Sequence, residues 1–167
     1  MKKRVTALLA YALFWLIFFM IARLIFILTH YQETSQFGMG LMAGTFLHGL
    51  KLDISATGYI FLIPVLFMIP GVYFNGSWYR VFMKWYTYVL IIISACIIVP
   101  DTLLYKYWGF RMDYTVLLYL KTPKEAAASV TFLQMSIVIA GIMLLSALFI
   151  FLYRKYVFRL FGGFNRD

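Results

Sequence analysis

Four long apolar stretches constrain the fold of this 167-residue chain more than any other feature. A helix needs about 20 apolar residues to cross a hydrocarbon core of about 30 Å, and a backbone surrounded by lipid must satisfy its own hydrogen bonds. The sequence therefore predicts an all-α fold: a polytopic membrane helix bundle of about four transmembrane helices plus short interfacial helices. The stretches are Val5–Leu28, Ile54–Phe74, Val81–Val99 and Val130–Tyr153.

Composition supports the same conclusion. The chain is 64% apolar and 13% charged, whereas soluble domains are about half apolar and about a quarter charged. Its net charge is +9, but the cations flank the apolar stretches, so we expect membrane phospholipid and no nucleic acid as a partner. The N-terminal stretch begins like a signal peptide, but it is longer than the typical apolar region of one, so we expect an uncleaved first helix.

The segments between the stretches predict local departures from simple spans. Residues Phe37–Leu52 are apolar, short and rich in glycine, so we expect a short interfacial or re-entrant helix that runs into the second span. Pro100 is expected to stop the third span. Residues Asp101–Lys121 mix aromatic and charged side chains, which is typical of the headgroup layer. Thr122 is a capping residue for a fourth helix that we expect to begin near Pro123.

The distribution of lysine and arginine predicts the topology. With four spans, both ends of the chain and the loop between the second and third spans share one side of the membrane. The positive-inside rule makes that side cytoplasmic, because it has nine cations and the other side has five. The nine are Lys2, Lys3, Arg4, Arg80, Lys84, Arg154, Lys155, Arg159 and Arg166, and the five are Lys51, Lys106, Arg111, Lys121 and Lys124.

The candidate site residues are charges expected near the outer face. Lys51 and Asp53 lie at the mouth of the second span, and Arg111 and Asp113 lie in the aromatic segment. Cations near headgroups bind lipid phosphate, and arginine does so with two parallel hydrogen bonds. These residues therefore predict a docking site for a phospholipid headgroup. The alternative is ordinary interfacial anchoring, with Asp53 as the N-cap of the second span.

Arg23 is a further candidate, because it lies inside the first apolar stretch. Its side chain either extends to the outer headgroups or faces the other helices and pairs with an acid. Asp53 and Asp113 are the first candidates for that acid. The sequence leaves both alternatives open.

Motifs for chemistry or metal binding are not evident. His30 and His48 have no third ligand at metal-binding spacing, and Cys96 is the single cysteine. The sequence contains no Ser/His/Asp set, no glycine-rich phosphate loop and no dinucleotide fingerprint. We therefore expect no catalytic residue, metal or cofactor in this chain.

Two stretches resemble the lipoteichoic acid synthase family of phosphoglycerol transferases and sulfatase-like enzymes. The first runs from His48 to Ala56 and reads HGLKLDISA. The second runs from Tyr107 to Asp113, reads YWGFRMD, and leads to Tyr119–Glu125. The likeness covers most of the chain, from the first apolar stretch to the basic residues near its end.

The resemblance implies a function that the residues alone do not. Enzymes of this family combine a helix bundle in the bacterial cytoplasmic membrane with a C-terminal extracellular domain of alkaline-phosphatase-like α/β fold. That domain uses a threonine nucleophile and a divalent metal such as manganese, and neither has matching positions here. The resemblance therefore implies that this chain is the membrane anchor and lipid-headgroup-presenting part of such an enzyme, with the catalytic domain as its partner.

A second hypothesis comes from a different class. In this hypothesis, the chain is a standalone four-helix membrane protein that acts as a transporter subunit or assembly partner. Transporters tend to have polar residues in mid-span or paired broken helices. Here Pro64 and Pro70 are the hints of such breaks, and prolines are tolerated in membrane helices, so we favour the membrane-anchor hypothesis.

Overall fold

A computed structural model of the chain describes residues 2–36, 38–73, 76–109, 111–112 and 131–165. Within these ranges the structure contains helices and no strand, and four helices are long and apolar enough to cross a membrane. The prediction of an all-α, multi-pass membrane helix bundle is confirmed. The helices are α1 (Lys2–Thr29), α2 (Tyr31–Thr34), α3 (Met39–Tyr73), α4 (Gly76–Trp108) and α5 (Phe132–Leu152), and α5 continues into a π-helical turn (Tyr153–Val157) and a 3₁₀ helix (Phe158–Asn165).

The second span is longer than the sequence predicts. The short helix expected over Phe37–Leu52 is the first part of α3, which runs without a break from Met39 to Tyr73; Phe37 lies outside the described residues. The apolar window that could cross the membrane is Ala43–Met68, and it begins before the predicted start at Ile54. Among the described glycines only Gly109 has a positive φ, so the glycines of α3 keep a helical backbone and do not act as breaks.

The third span also continues past its predicted end. Pro100 lies inside α4 and does not stop it. A proline removes one helical hydrogen bond, and membrane helices tolerate that loss. The helix ends at Trp108, and Gly109 follows with φ +71° while its N–H donates to the carbonyl of Tyr105 over 2.8 Å. This left-handed residue is a common way to end a helix.

The fourth spanning helix begins later than predicted. Pro123 lies outside the described residues, but α5 begins at Phe132 and Thr131 before it is not helical. Thr131 and Gln134 cap this start reciprocally. The Thr131 N–H donates to Gln134 Oε1 over 2.9 Å, and the Gln134 N–H donates to Thr131 Oγ1 over 3.4 Å. This reciprocal pairing is a capping box, which marks the start of a helix.

The chain divides into two compact units, and the first consists of Met1–Val89 with Phe149–Asp167. Aromatic side chains of α1 form the core of this first unit. Tyr11, Trp15 and Phe18 are buried and lie three or four residues apart, so they share one face of α1. The ring centroid of Phe18 lies 4.5 Å from that of Phe149, and the ring centroid of Tyr11 lies 6.3 Å from that of Tyr153. The end of the chain therefore packs against α1.

Tyrosine hydroxyls join α4 to α3 where a proline leaves a carbonyl without its donor. Pro64 has no N–H for the carbonyl of Ile60, one turn earlier. Tyr86 on α4 donates its hydroxyl to that carbonyl over 2.9 Å, and Tyr79 donates to the carbonyl of Pro64 over 3.1 Å. An unpaired carbonyl in hydrocarbon costs free energy, so these bonds hold α4 against α3 at the proline.

The second unit is Leu90–Leu148. It contains the later part of α4 and most of α5. A Cβ added at Gly141 of α5 would lie 2.9 Å from Val99 Cγ1 of α4, so the absence of a side chain allows the two helices to approach closely. Ile91 and Ala95 are buried on α4.

We predict that Tyr86→Phe lowers the free energy of unfolding by about 1–2 kcal/mol, because it leaves the Ile60 carbonyl without a donor. Pro64→Ala restores an N–H at that place, so Tyr86→Phe should cost much less in the Pro64→Ala background. Reversible unfolding in detergent micelles measures both differences. Tyr59→Phe is the control, because Tyr59 is exposed on α3. An equal cost in both backgrounds would contradict this pairing of tyrosine with proline.

Candidate functional site

Arg23 and Asp53 form an ion pair between α1 and α3. Arg23 Nη2 donates to Asp53 Oδ1 over 2.9 Å, and the two side chains are only 15% and 8% exposed. Arg23 lies six residues before Thr29, the end of α1, which is about 9 Å along the helix. The sequence left open whether Arg23 extends to the headgroups or pairs with an acid, and pairing with Asp53 is confirmed.

The surface of α3 is shaped to receive the Arg23 guanidinium. A Cβ added at Gly49 would overlap the Arg23 side chain at Cζ and both terminal nitrogens. Arg23 Nη1 also donates to the carbonyl of Phe46 over 3.5 Å, and its Cζ lies 5.9 Å from the centroid of the Phe46 ring. Gly49 therefore provides the space and Asp53, one turn later, provides the charge.

The ion pair has a clear energetic role. A single charge in the hydrocarbon region is costly, and the pair brings the net charge between the helices to zero. A buried pair adds little net stability, because desolvation offsets the attraction, but removing one partner costs about 3–5 kcal/mol. The pair therefore fixes which residues of α1 and α3 face each other.

Two buried oxygen atoms beside the pair have no hydrogen-bond partner within the described ranges. They are Oδ2 of Asp53 and Oγ1 of Thr57, one turn apart on α3. Thr57 also lines an open apolar groove of about 370 Å³ between α1 and α3. The groove walls run from Val5 to Leu16 on α1 and from Ile54 to Phe61 on α3, and they are almost wholly hydrocarbon. Such a groove suits a lipid chain.

A second ion pair closes the end of α4. Asp101 Oδ2 accepts hydrogen bonds from Arg111 Nη2 over 2.7 Å and from Arg111 Nε over 3.0 Å. Asp101 Oδ1 accepts one from the N–H of Met112 over 2.7 Å. The Asp101 side chain is 7% exposed and that of Arg111 is 66% exposed. Asp101 thereby holds the chain that follows Gly109 against the last turns of the helix.

Asp101 is absent from the sequence-based candidates, because Pro100 was expected to end the span. In the sequence, Asp101 stands out as an acidic residue directly after an apolar span and ten residues before an arginine. In the structure α4 continues through Pro100, and Asp101 on this continued helix meets Arg111.

The predicted site residues thus fall into separate places. Arg23 and Asp53 lie together, and Arg111 pairs with Asp101. Lys51 is exposed on α3 and takes part in neither ion pair of the described residues. Asp113 lies outside the described residues. Binding of a headgroup by any of them stays a prediction.

The two histidines belong to their own helices. His30 Nδ1 lies 3.0 Å from the carbonyl of Phe26, and His48 Nδ1 lies 2.8 Å from the carbonyl of Gly44. Among the residues whose placement is described, no group of three or more His, Cys, Asp or Glu side chains could hold a metal ion.

We predict that Gly49→Ala lowers the free energy of unfolding by about 1–3 kcal/mol, because the new methyl group displaces the Arg23 guanidinium from Asp53. Thermal or denaturant unfolding in detergent measures the change. Gly58→Ala is the matched control on the same helix, since a Cβ there meets no atom within 4 Å and alanine favours the helix by up to about 1 kcal/mol. Equal effects of the two substitutions would contradict the assigned role of Gly49.

Comparison with known proteins gives no relative for the chain. No protein-family model, no curated protein and no solved structure matches it.

Proposed function

We propose that this chain is the membrane domain of a phosphoglycerol transferase or sulfatase-like enzyme similar to lipoteichoic acid synthase. It anchors the enzyme in a bacterial cytoplasmic membrane and presents a phospholipid headgroup to a catalytic domain on the outer side. One observation carries the proposal. Each of the two stretches that resemble the family supplies one member of an ion pair, Asp53 from the first and Arg111 from the second.

In both stretches, the glycine and the charged residues make contacts that hold the helices and the following segment in place. In the first, Gly49 and Asp53 are one turn apart and both contact Arg23. In the second, Arg111 and Met112 both bind Asp101. The glycine and the charges of these two stretches are therefore those that build a helix scaffold, which favours a domain that positions a substrate over one that performs chemistry.

Lys51 is the residue that we assign to the headgroup. It lies two residues after Gly49 and two before Asp53, and residues two apart on a helix do not share a face. Its side chain is exposed, whereas Arg23 is committed to Asp53. Lys51 lies inside the apolar window Ala43–Met68, so its long side chain extends toward the headgroup layer, where the ammonium attracts a lipid phosphate as a point charge. Arg23 is then a positioning residue for α3.

The chemistry belongs to a different part of the enzyme. Phosphoryl transfer of this type uses a nucleophile and a divalent metal, and the described residues of this chain do not fit a metal site. No reaction step is therefore assigned to them. The excess of cations near both ends of the chain and in the first turns of α4, at Arg80 and Lys84, supports a cytoplasmic position for those regions.

The first test is the coding sequence beyond codon 167. The proposal expects the frame to continue into a further apolar span and a soluble domain with a threonine nucleophile and metal ligands. A frame without such a domain would contradict the enzyme assignment and favour a standalone membrane protein.

We predict that Lys51→Gln in the full-length enzyme lowers turnover of a phospholipid substrate in vesicles several-fold, because it removes the cation nearest the headgroup. Hydrolysis of a soluble ester by the same variant should be unchanged. Lys106→Gln is the control, because it removes another exposed lysine and should leave both rates near wild type. Equal losses with the lipid and the soluble ester would contradict headgroup presentation.

A further inference from the structure

A second charged surface lies in the first unit, where the C-terminal helical segment packs against the first turns of α4. We define the basic patch as Arg80 and Lys84 on α4 together with Lys155 and Arg159 in the C-terminal helical segment. Arg80 and Lys84 are four residues apart on α4 and share a helix face. Lys155 and Arg159 are exposed in the π-helical turn and the 3₁₀ helix that follow α5. The sequence from 76 to 100 and from 149 to 165 contains no aspartate or glutamate, so the patch has no acid of its own.

Packing holds the two halves of the patch together. Tyr153 donates its hydroxyl to the carbonyl of Met83 over 3.1 Å, and the ring centroid of Tyr79 lies 6.2 Å from that of Phe161. Tyr79, Met83, Tyr153 and Phe161 are all buried. The cations that flank these residues therefore lie on a rigid base, and not on independent surface turns.

Arg80 is the most preorganised member of the patch. Its Cζ lies 4.8 Å from the centroid of the Phe158 ring, and it would lie 3.8 Å from a Cβ added at Gly162. Its Nε is buried and has no hydrogen-bond partner in the described part of the chain. A guanidinium stacked on an aromatic ring keeps its planar fork in one orientation and can bind the oxygens of a phosphate with two hydrogen bonds.

The neighbouring aromatic side chains indicate the level of the patch in the membrane. Trp78 and Trp85 are exposed on the same part of α4, and Lys84 Nζ lies 5.3 Å from the Trp85 ring centroid. Exposed Tyr156 lies 5.2 Å from Lys155 Nζ. Exposed tryptophan and tyrosine beside lysine are typical of the headgroup layer. Lipid phosphates are the anions found in that layer.

We infer that the basic patch is a binding site for one anionic glycerophospholipid of the cytoplasmic leaflet, with Arg80 as its phosphate-binding residue. Lys84, Lys155 and Arg159 supply the surrounding positive charge. The inference does not depend on the proposed function, because it concerns different residues and the opposite side of the membrane in the predicted topology. It assigns the basic end of the chain a ligand in addition to its role in setting topology.

Native mass spectrometry of the purified protein tests this site with phosphatidylglycerol as the probe and phosphatidylcholine as the neutral competitor. Wild type should retain phosphatidylglycerol in preference to phosphatidylcholine, and Arg80→Gln should weaken that binding about tenfold. Arg80→Lys should give an intermediate affinity, because it keeps the charge and loses the two-pronged hydrogen bonding. Added salt should weaken binding to the wild type.

Two further variants keep the test decisive. Lys106→Gln removes one exposed cation outside the patch and should bind phosphatidylglycerol like the wild type. Phe158→Leu keeps every charge and removes the ring under Arg80, so it should weaken binding several-fold even if Arg80→Gln does not fold. The inference is overturned if the wild type has no preference for the anionic lipid, or if folded Arg80→Gln or folded Phe158→Leu binds as tightly as the wild type.

Discussion

The Arg23–Asp53 ion pair is the interaction on which the arrangement of the first unit depends. Its two charges are costly in the hydrocarbon region unless they meet, so α1 and α3 are held in one register. On α3, the carbonyls of Ile60 and Pro64 accept hydrogen bonds from the hydroxyls of Tyr86 and Tyr79. These bonds hold the first part of α4 against α3, and the hydroxyl of Tyr153 donates to the carbonyl of Met83 on α4. Apolar packing fills the space between the helices, but it does not choose the register, because lipid tails are as apolar as the side chains.

The polar side chains in this unit mostly satisfy backbone groups. Pro64 shows why this matters, since its missing N–H leaves a carbonyl that a neighbouring helix must pair. Thr87 donates to the carbonyl of Met83 over 2.7 Å and also lies 3.2 Å from the Tyr11 hydroxyl. A small number of directional bonds therefore determines where the long apolar helices contact one another.

The sequence predicts the helical class and the four long apolar helices of the described residues, but not the ends of these helices. Apolar length alone finds the four spans, because it reflects the thickness of the membrane. The glycine-rich residues before Ile54 are read as a short interfacial or re-entrant helix that runs into the second span, and the proline at 100 is read as a stop. Both lie inside longer helices, since a backbone in lipid is most stable when its hydrogen bonds continue. The start of α5 has the capping pair Thr131 and Gln134. The sequence also contains a capping threonine and a proline at Thr122 and Pro123, and these favoured an earlier start.

The candidate site is predicted in part for a similar reason. Arg23 and Asp53 are recognisable as charges in an apolar setting, but the sequence leaves open whether Arg23 extends to the headgroups or pairs with an acid, and the contact between α1 and α3 decides this. Asp101 is recognisable only once Pro100 is known to lie inside a helix. The preorganisation of Arg80 is not visible in the sequence at all, because it depends on a contact with Phe158, seventy-eight residues later.

A double-mutant cycle on Arg23→Met and Asp53→Leu, read as the free energy of unfolding in detergent, tests the central claim most directly. Each single substitution leaves one buried charge without its partner and should cost about 3–5 kcal/mol. The double substitution leaves no charge, so it should cost less than either single one, with a strong coupling between the two sites. If the two costs simply add, the residues act independently and the ion pair does not set the register of α1 and α3.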